Sequence, residues 1–220
     1  GCMDQIMDRF CKDTCTLYTA KRAQGIMTAQ DMESNLISWL QGDTTPINIG
    51  KLYNKDFPIY PGELVVLQAP PKTMKTMLFM NWVNSLKRPT YFLEMEMSPR
   101  QMWQRFIQIE NKWDDDELKK HYSNGASGMV DKFKWLHMDY RPCYPQELEK
   151  RINMLPVKPE IVVIDHMGLM LSKNRDLNMK MEEISGALTE LAIKNNLVVF
   201  TISEITKQAF HEGMNMASAK

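Results

Sequence analysis

Neither sign of charge is in excess: 27 Lys+Arg against 27 Asp+Glu leave the 220-residue chain with a formal net charge of +0. A protein that draws in nucleic acid with its whole field carries a basic surplus, so any such contact here must come from local patches. Long apolar runs are also missing. None approaches the length needed to cross a bilayer, and no signal peptide is read in the sequence. Cysteine is scarce: Cys2, Cys11, Cys15 and Cys143 lack zinc-ligand spacing, and a reduced, cytosolic state is the default expectation. Cys11 and Cys15 lie four apart and would share a helix face, which reads as core packing. The five tryptophans are scattered and form no array on which bases could stack. Apolar residues, at 44%, suffice for one sizeable α/β domain with an appendage, and the 19 methionines read as adaptable core filler.

Glycine is absent from the stretch around which the chain is organised, Glu63 to Thr76, ELVVLQAPPKTMKT. Glu63–Gln68 is apolar and β-branched at Val65 and Val66, and predicts a buried strand. A tight segment follows, then Lys75-Thr76 at the head of an apolar helical run. Strand, loop, Lys-Thr and helix is the context of a phosphate-binding loop. Such a loop turns backbone N–H groups into a concavity, and the helix N-terminus adds its positive end. The lysine reaches the β- and γ-phosphates of a nucleotide and the hydroxyl reaches Mg²⁺. Against G-x-x-x-x-G-K-[ST], Ala69 stands at the first glycine and Met74 at the second.

Upstream, residues 3–22 are patterned as a helix, with Ile6, Phe10, Leu17 and Tyr18 at near-helical intervals. Thr28 with Asp31 three residues on forms an N-terminal capping signal, and a second helix runs to about Leu40. Its stripe is Met32, Leu36, Ile37 and Leu40. Residues 44–61 carry Pro46, Pro58 and Pro61 and read as a loop-rich connection. The expected organisation is a helical extension over 1–43 and a main domain over 44–220.

From Glu63 the chain alternates. Strands are expected over 63–68, 91–95, 133–138, 161–164 and 197–202. Helices are expected over 75–86, 98–111, 145–155 and 180–195, the second capped by Ser98 with Pro99 at its first position. Alternation of this kind argues a mainly parallel sheet flanked by helices, with active residues beyond the carboxyl ends of the strands. Thr76, Glu96, Asp165 and Glu204 all follow strand ends. Ile161–Asp165 has the form of a Walker B strand whose aspartate holds Mg²⁺ directly or through water. Glu96 is the candidate for accepting a proton from an attacking water. Glu94, two residues back, faces the same side of an ideal strand and competes with it.

Four segments in order resemble the replicative helicases of the DnaB type, phage members included. Glu96-Met97-Ser98-Pro99-Arg100-Gln101-Met102-Trp103-Gln104-Arg105 is similar to that family's E-M-x-x-x-Q-[LM]-x-x-R segment. Ala69-Pro70-Pro71-Lys72-Thr73-Met74-Lys75-Thr76 resembles its A-R-P-S-M-G-K-T loop. Asp165 to Met170 is similar to D-Y-L-Q-L-M, and Ser203 to Lys207 to S-Q-L-N-R. The resemblance spans roughly 44–207. It implies a RecA-like P-loop NTPase core, ATP and Mg²⁺ as cofactors, and ATP-driven translocation on single-stranded DNA. It also implies a homo-oligomeric ring, taken as a hexamer, with a primase or loader as partner, in the cytoplasm of the cell or phage host.

On this resemblance Ala69 to Thr76 bind nucleotide, Thr76 and Asp165 support the metal, and Lys75 and Glu96 act in catalysis. Glu204 stands where the family senses the γ-phosphate. Lys173, Arg175 and Lys207 are the candidates for contact with DNA phosphates. Met74, Gly168, Glu204 and Lys207 depart from the family pattern, in place of glycine, glutamine, glutamine and arginine. Family members also continue through further strands that carry an arginine finger. The chain is therefore expected to be a fragment or a shortened relative. The amino-terminal helices correspond either to the family's linker helix or to a cap on the same chain. Two other classes stand beside the helicase reading: a non-hydrolysing RecA-fold assembly module, and another ATPase of the recombinase kind.

Overall fold

The buried strands alternate between two helical layers. In the computed structural model, which describes residues 28–42, 45–52, 55–125 and 128–204, five strands form one parallel sheet. Taken in chain order with the elements before and between them, these are β3 (Leu64–Ala69), α2 (Lys75–Leu86), β4 (Thr90–Glu94), α3 (Pro99–Asn111), α4 (Asp115–Ser123), β5 (Leu136–Asp139), α5 (Pro145–Asn153), β6 (Ile161–Asp165), α6 (Leu177–Asn195) and β7 (Val198–Glu204). The spatial order is β3-β7-β6-β4-β5, so β6 and β7, last in the chain, lie at the centre.

Period-two geometry explains the near-continuous apolar runs, because a strand covered on both faces has no solvent side. Phe92, Val163 and Phe200 join Phe79 of α2 and Phe106 of α3 in one core. Leu93, Ile164 and Val199 join Leu148 of α5 and Leu188 of α6 in the other. The register sets the floor of the site. Ala69 is paired with Glu204 across β3 and β7, and Glu94 with Asp165 across β4 and β6.

Local signals fix most element ends. The Ser98 hydroxyl accepts from the Gln101 N–H at 3.4 Å while Gln101 Oε1 accepts from the Ser98 N–H at 3.1 Å, a capping box in front of Pro99. Asp176 caps α6 by accepting from Met179 N–H at 3.0 Å, so that helix begins three residues before the apolar stripe does. Residues 44–61, read as loop, instead carry an antiparallel pair, β1 (Ile47–Leu52) and β2 (Lys55–Ile59), with an irregularity between Asn48 and Lys51. Pro58 sits within β2, a position that an edge strand tolerates. Ile47 and Ile59 are buried in the first core and anchor the pair. The strand expected from Phe133 starts only at Leu136, because residues 129–133 form a 3₁₀ turn that buries Phe133.

The chain divides into two units, Gly1–Thr45 and Pro46–Lys220. In the first, α1 (Ala29–Leu40) starts at a reciprocal cap. Asp31 Oδ2 accepts from the Thr28 N–H at 3.0 Å and Thr28 Oγ1 accepts from the Asp31 N–H at 3.2 Å. The helix expected over 3–22, with Cys11 and Cys15, and the expected DNA contact at Lys207 lie outside the described residues.

Candidate active site

The loop between β3 and α2 folds without glycine by placing two L-residues in the left-handed region. Lys72 has φ 63° and Met74 has φ 62°. Met74 is the N-cap of α2 and supplies no side-chain acceptor, so the N–H groups of the helix's first turn stay available to a ligand. The Pro70 carbonyl organises the loop from within, accepting from Thr73 Oγ1 and from Lys75 Nζ, each at 2.7 Å. Lys75 Nζ also donates to Glu204 Oε1 at 3.0 Å. Its side chain is only 8% exposed, so this head group is held between the loop and the end of β7.

A cavity of about 650 Å³ opens over the loop, bounded by residues 71–77 and by Glu96, Arg105, Gln108, Asp165 and Glu204. Thr76 stands on its wall beside Asp165. Asp165 ends β6, is 2% exposed, and its Oδ2 has no hydrogen-bond partner among the described residues. Burial pushes its carboxyl above the ordinary range. The Thr76 hydroxyl opposes that shift, and the Glu96 charge adds to it. A buried carboxylate oxygen left unpartnered, next to a threonine hydroxyl, is a donor set suited to a hard cation. Among the described residues no three His, Cys, Asp or Glu side chains form a ready metal cage. That fits Mg²⁺, which keeps waters and shares its coordination with substrate phosphates.

The two competing glutamates separate cleanly. Glu96 is exposed and faces the cavity, past the end of β4. Glu94 is fully buried, and its Oε1 accepts from the N–H groups of Glu96 and Met97, both at 2.7 Å. It thus holds the turn that projects Glu96. Burial first, and the Asp165 charge second, push Glu94 up to about 7. Neither its burial nor its turn-holding bonds were legible from strand periodicity, which put both glutamates on one face.

Arg105 and Gln108 are further cavity residues that sequence reasoning gave no role. They follow Gln101 on α3 at helical spacing, opposite the buried Met102 and Phe106, so the amphipathic pattern of α3 was the signal that could have found them. His166 Nδ1 accepts from the Gly168 N–H at 3.2 Å, after a cis Asp165–His166 peptide. A Cβ at residue 168 would lie 2.9 Å from the His166 ring, which accounts for glycine there. Lys173 and Arg175 are exposed in the segment before α6 and do not line the cavity. Of the loop residues, Ala69 does not border the cavity, and Pro70 acts through its carbonyl.

No helix among the described residues is long and apolar enough to cross a membrane. No curated protein matches the chain. Two solved structures have the same fold. One, an ATPase domain from a DnaB-like replicative helicase, matches with a TM-score of 0.55 and 17% identity, covering 69% of this chain and 60% of that one. The other, a DnaB-like replicative helicase solved for its interactions with primase, matches with a TM-score of 0.54 and 17% identity, covering 69% of this chain and 41% of that one. This chain thus spans less than two thirds of either. The family model of the DnaB-like helicase C-terminal domain matches residues 46–213. With a RecA-like α/β sheet and a lysine–threonine loop at its carboxyl edge, the chain belongs to the family of DnaB-like helicase C-terminal domains.

Proposed function

We propose that residues 44–220 are the nucleotide-binding motor domain of a replicative DNA helicase, taking Mg²⁺-ATP in the cavity above the loop, with residues 1–43 as a separate helical extension. The observation that carries this is the convergence of Lys75, Thr76, Glu96 and Asp165 around one cavity, from three different strand ends. In the proposed site the N–H groups at the start of α2 receive phosphate oxygens, and Lys75 neutralises them. Thr76 and Asp165 hold Mg²⁺, which when bound shields the charge on the transferring phosphoryl group. Glu96, held by the turn that Glu94 caps, takes the proton of the attacking water.

In the full-length protein this chemistry drives movement along single-stranded DNA in a homo-oligomeric ring, with a primase or loader as partner, in the cytoplasm. The solved relative's association with primase supports the partner class. Lys173 and Arg175 are exposed, as phosphate contacts require, and stand with Lys207 as the proposed DNA-facing cations. One observation favours a second reading, a RecA-fold assembly module that does not hydrolyse ATP. Lys75 already has an anionic partner in Glu204.

The test is Asp165→Asn. The account expects Mg²⁺-dependent nucleotide binding to be lost while the melting temperature stays at or above that of the parent. A variant that binds Mg²⁺-ATP as tightly as the parent would remove the metal assignment.

A further inference from the structure

We propose that Glu204 makes this site selective for a nucleoside diphosphate over a triphosphate, by occupying the lysine donor that a γ-phosphate requires. The inference rests on the nucleotide reading above and names its ligand class.

Donor counting carries the argument. A lysine ammonium has three donors and no acceptor. In Lys75 one goes to the Pro70 carbonyl at 2.7 Å and a second to Glu204 Oε1 at 3.0 Å. The head group cannot turn out to solvent for relief, since the side chain is 8% exposed. The glutamate is not a passing contact. It is the last residue of β7 and is paired in the parallel ladder with Ala69, at the start of the loop. Backbone pairing thus holds its Cα beside the lysine.

One lysine donor remains free of these two acceptors. Beside it lie the N–H groups at the start of α2, where Met74 supplies no side-chain acceptor. This set suits a β-phosphate. A third phosphoryl group asks more of the lysine, which must reach the β- and γ-phosphates together. The donor it needs is the one Glu204 holds, and the carboxylate there has the charge of the incoming group. Glu96 and Asp165 bring two more carboxyl groups to the same cavity. A charge-assisted hydrogen bond corresponds to a factor of about ten to a hundred in an equilibrium constant. That is the discrimination expected against the triphosphate. A glutamine at residue 204 would keep the side-chain length and remove the charge.

The experiment is calorimetric titration of the 220-residue chain with ADP and with the β,γ-imido analogue of ATP, Mg²⁺ present throughout. It is repeated on Glu204→Gln and Glu204→Ala, each first shown by thermal melting to fold. The parent is expected to bind ADP about ten- to a hundredfold tighter than the analogue. In both variants the gap closes, chiefly through tighter binding of the analogue. Equal affinities in the parent, or a gap unchanged in both variants, overturn the selectivity while leaving the nucleotide site standing. Binding of neither nucleotide to any of the three forms overturns the nucleotide reading, and the selectivity with it.

Discussion

Replacing Met74 with glycine should make the protein more stable. Met74 has φ 62° and ψ 24°, and its side chain is 72% exposed. The left-handed conformation costs an L-residue about 1–2 kcal/mol, which glycine escapes. Glycine also loosens the unfolded chain, which takes back about 0.4–1 kcal/mol. Little burial is lost with so exposed a side chain. The net gain is then about 0.5–1 kcal/mol, or a rise of about 1–4 °C in melting temperature for a chain of this size.

Differential scanning calorimetry reads this directly, with two controls in the same loop. Lys72→Gly, at φ 63°, should move in the same direction. Thr73→Gly lacks that relief, loses the hydroxyl bond to the Pro70 carbonyl, and should fall. The strain is present before any ligand arrives, so its relief should change nucleotide affinity by less than about tenfold, the equivalent of about 1.4 kcal/mol. A Met74→Gly variant that melts at or below the parent's temperature would refute the strain argument.

Glu94, pushed up to about 7 from an ordinary glutamate value of 4.5, keeps its proton in the folded chain where the unfolded chain has lost it. Stability should therefore fall as pH rises from about 4.5 to 7, by up to about 3 kcal/mol, and level off above. Glu94→Gln, which keeps an acceptor for the Glu96 and Met97 N–H groups, should flatten that slope in urea melts compared between acid and mildly alkaline buffer. An unchanged slope would place the titration elsewhere. Glu96→Gln should leave nucleotide affinity intact while lowering any ATP turnover of the full-length protein by roughly 10²–10⁴-fold. Turnover that survives Glu96→Gln and is lost in Glu94→Gln would exchange the two roles. Phe92→Ala removes a fully buried ring that packs edge-on against Phe106 at 6.1 Å. It should cost about 3–5 kcal/mol, read as a lower urea midpoint.

The sequence was most readable where one physical rule acted alone. Ile161–Asp165 is buried on both faces, so its run of β-branched residues needed no partner to be recognised as a central strand. Ser98, Pro99 and Gln101 state the start of α3 locally, and the helix begins there. Residues 47–59 were harder. Pro46, Pro58 and Pro61 outweigh short strands in a local reading, and only the burial of Ile47 and Ile59 against the distant sheet makes a ribbon of them.

The site divides in the same way. Thr76, Glu96 and Asp165 follow strands and were visible as residues at carboxyl ends. The Lys75–Glu204 ion pair joins residues 129 apart in sequence and depends on β7 lying next to β3, which no local signal encodes. The burial of Glu94 depends on its pairing with Asp165 in β6, again a matter of strand order.

The central claim is that the cavity above residues 69–76 binds a nucleotide through its phosphates. A fluorescent ADP derivative titrated with Mg²⁺ into the chain and into Lys75→Ala tests it most directly. The account predicts saturable binding to the parent that unlabelled ADP displaces. In Lys75→Ala binding should be weaker by at least about tenfold, the lower end expected for loss of a charge-assisted contact. No saturable binding to the parent, or equal binding by Lys75→Ala, would contradict it.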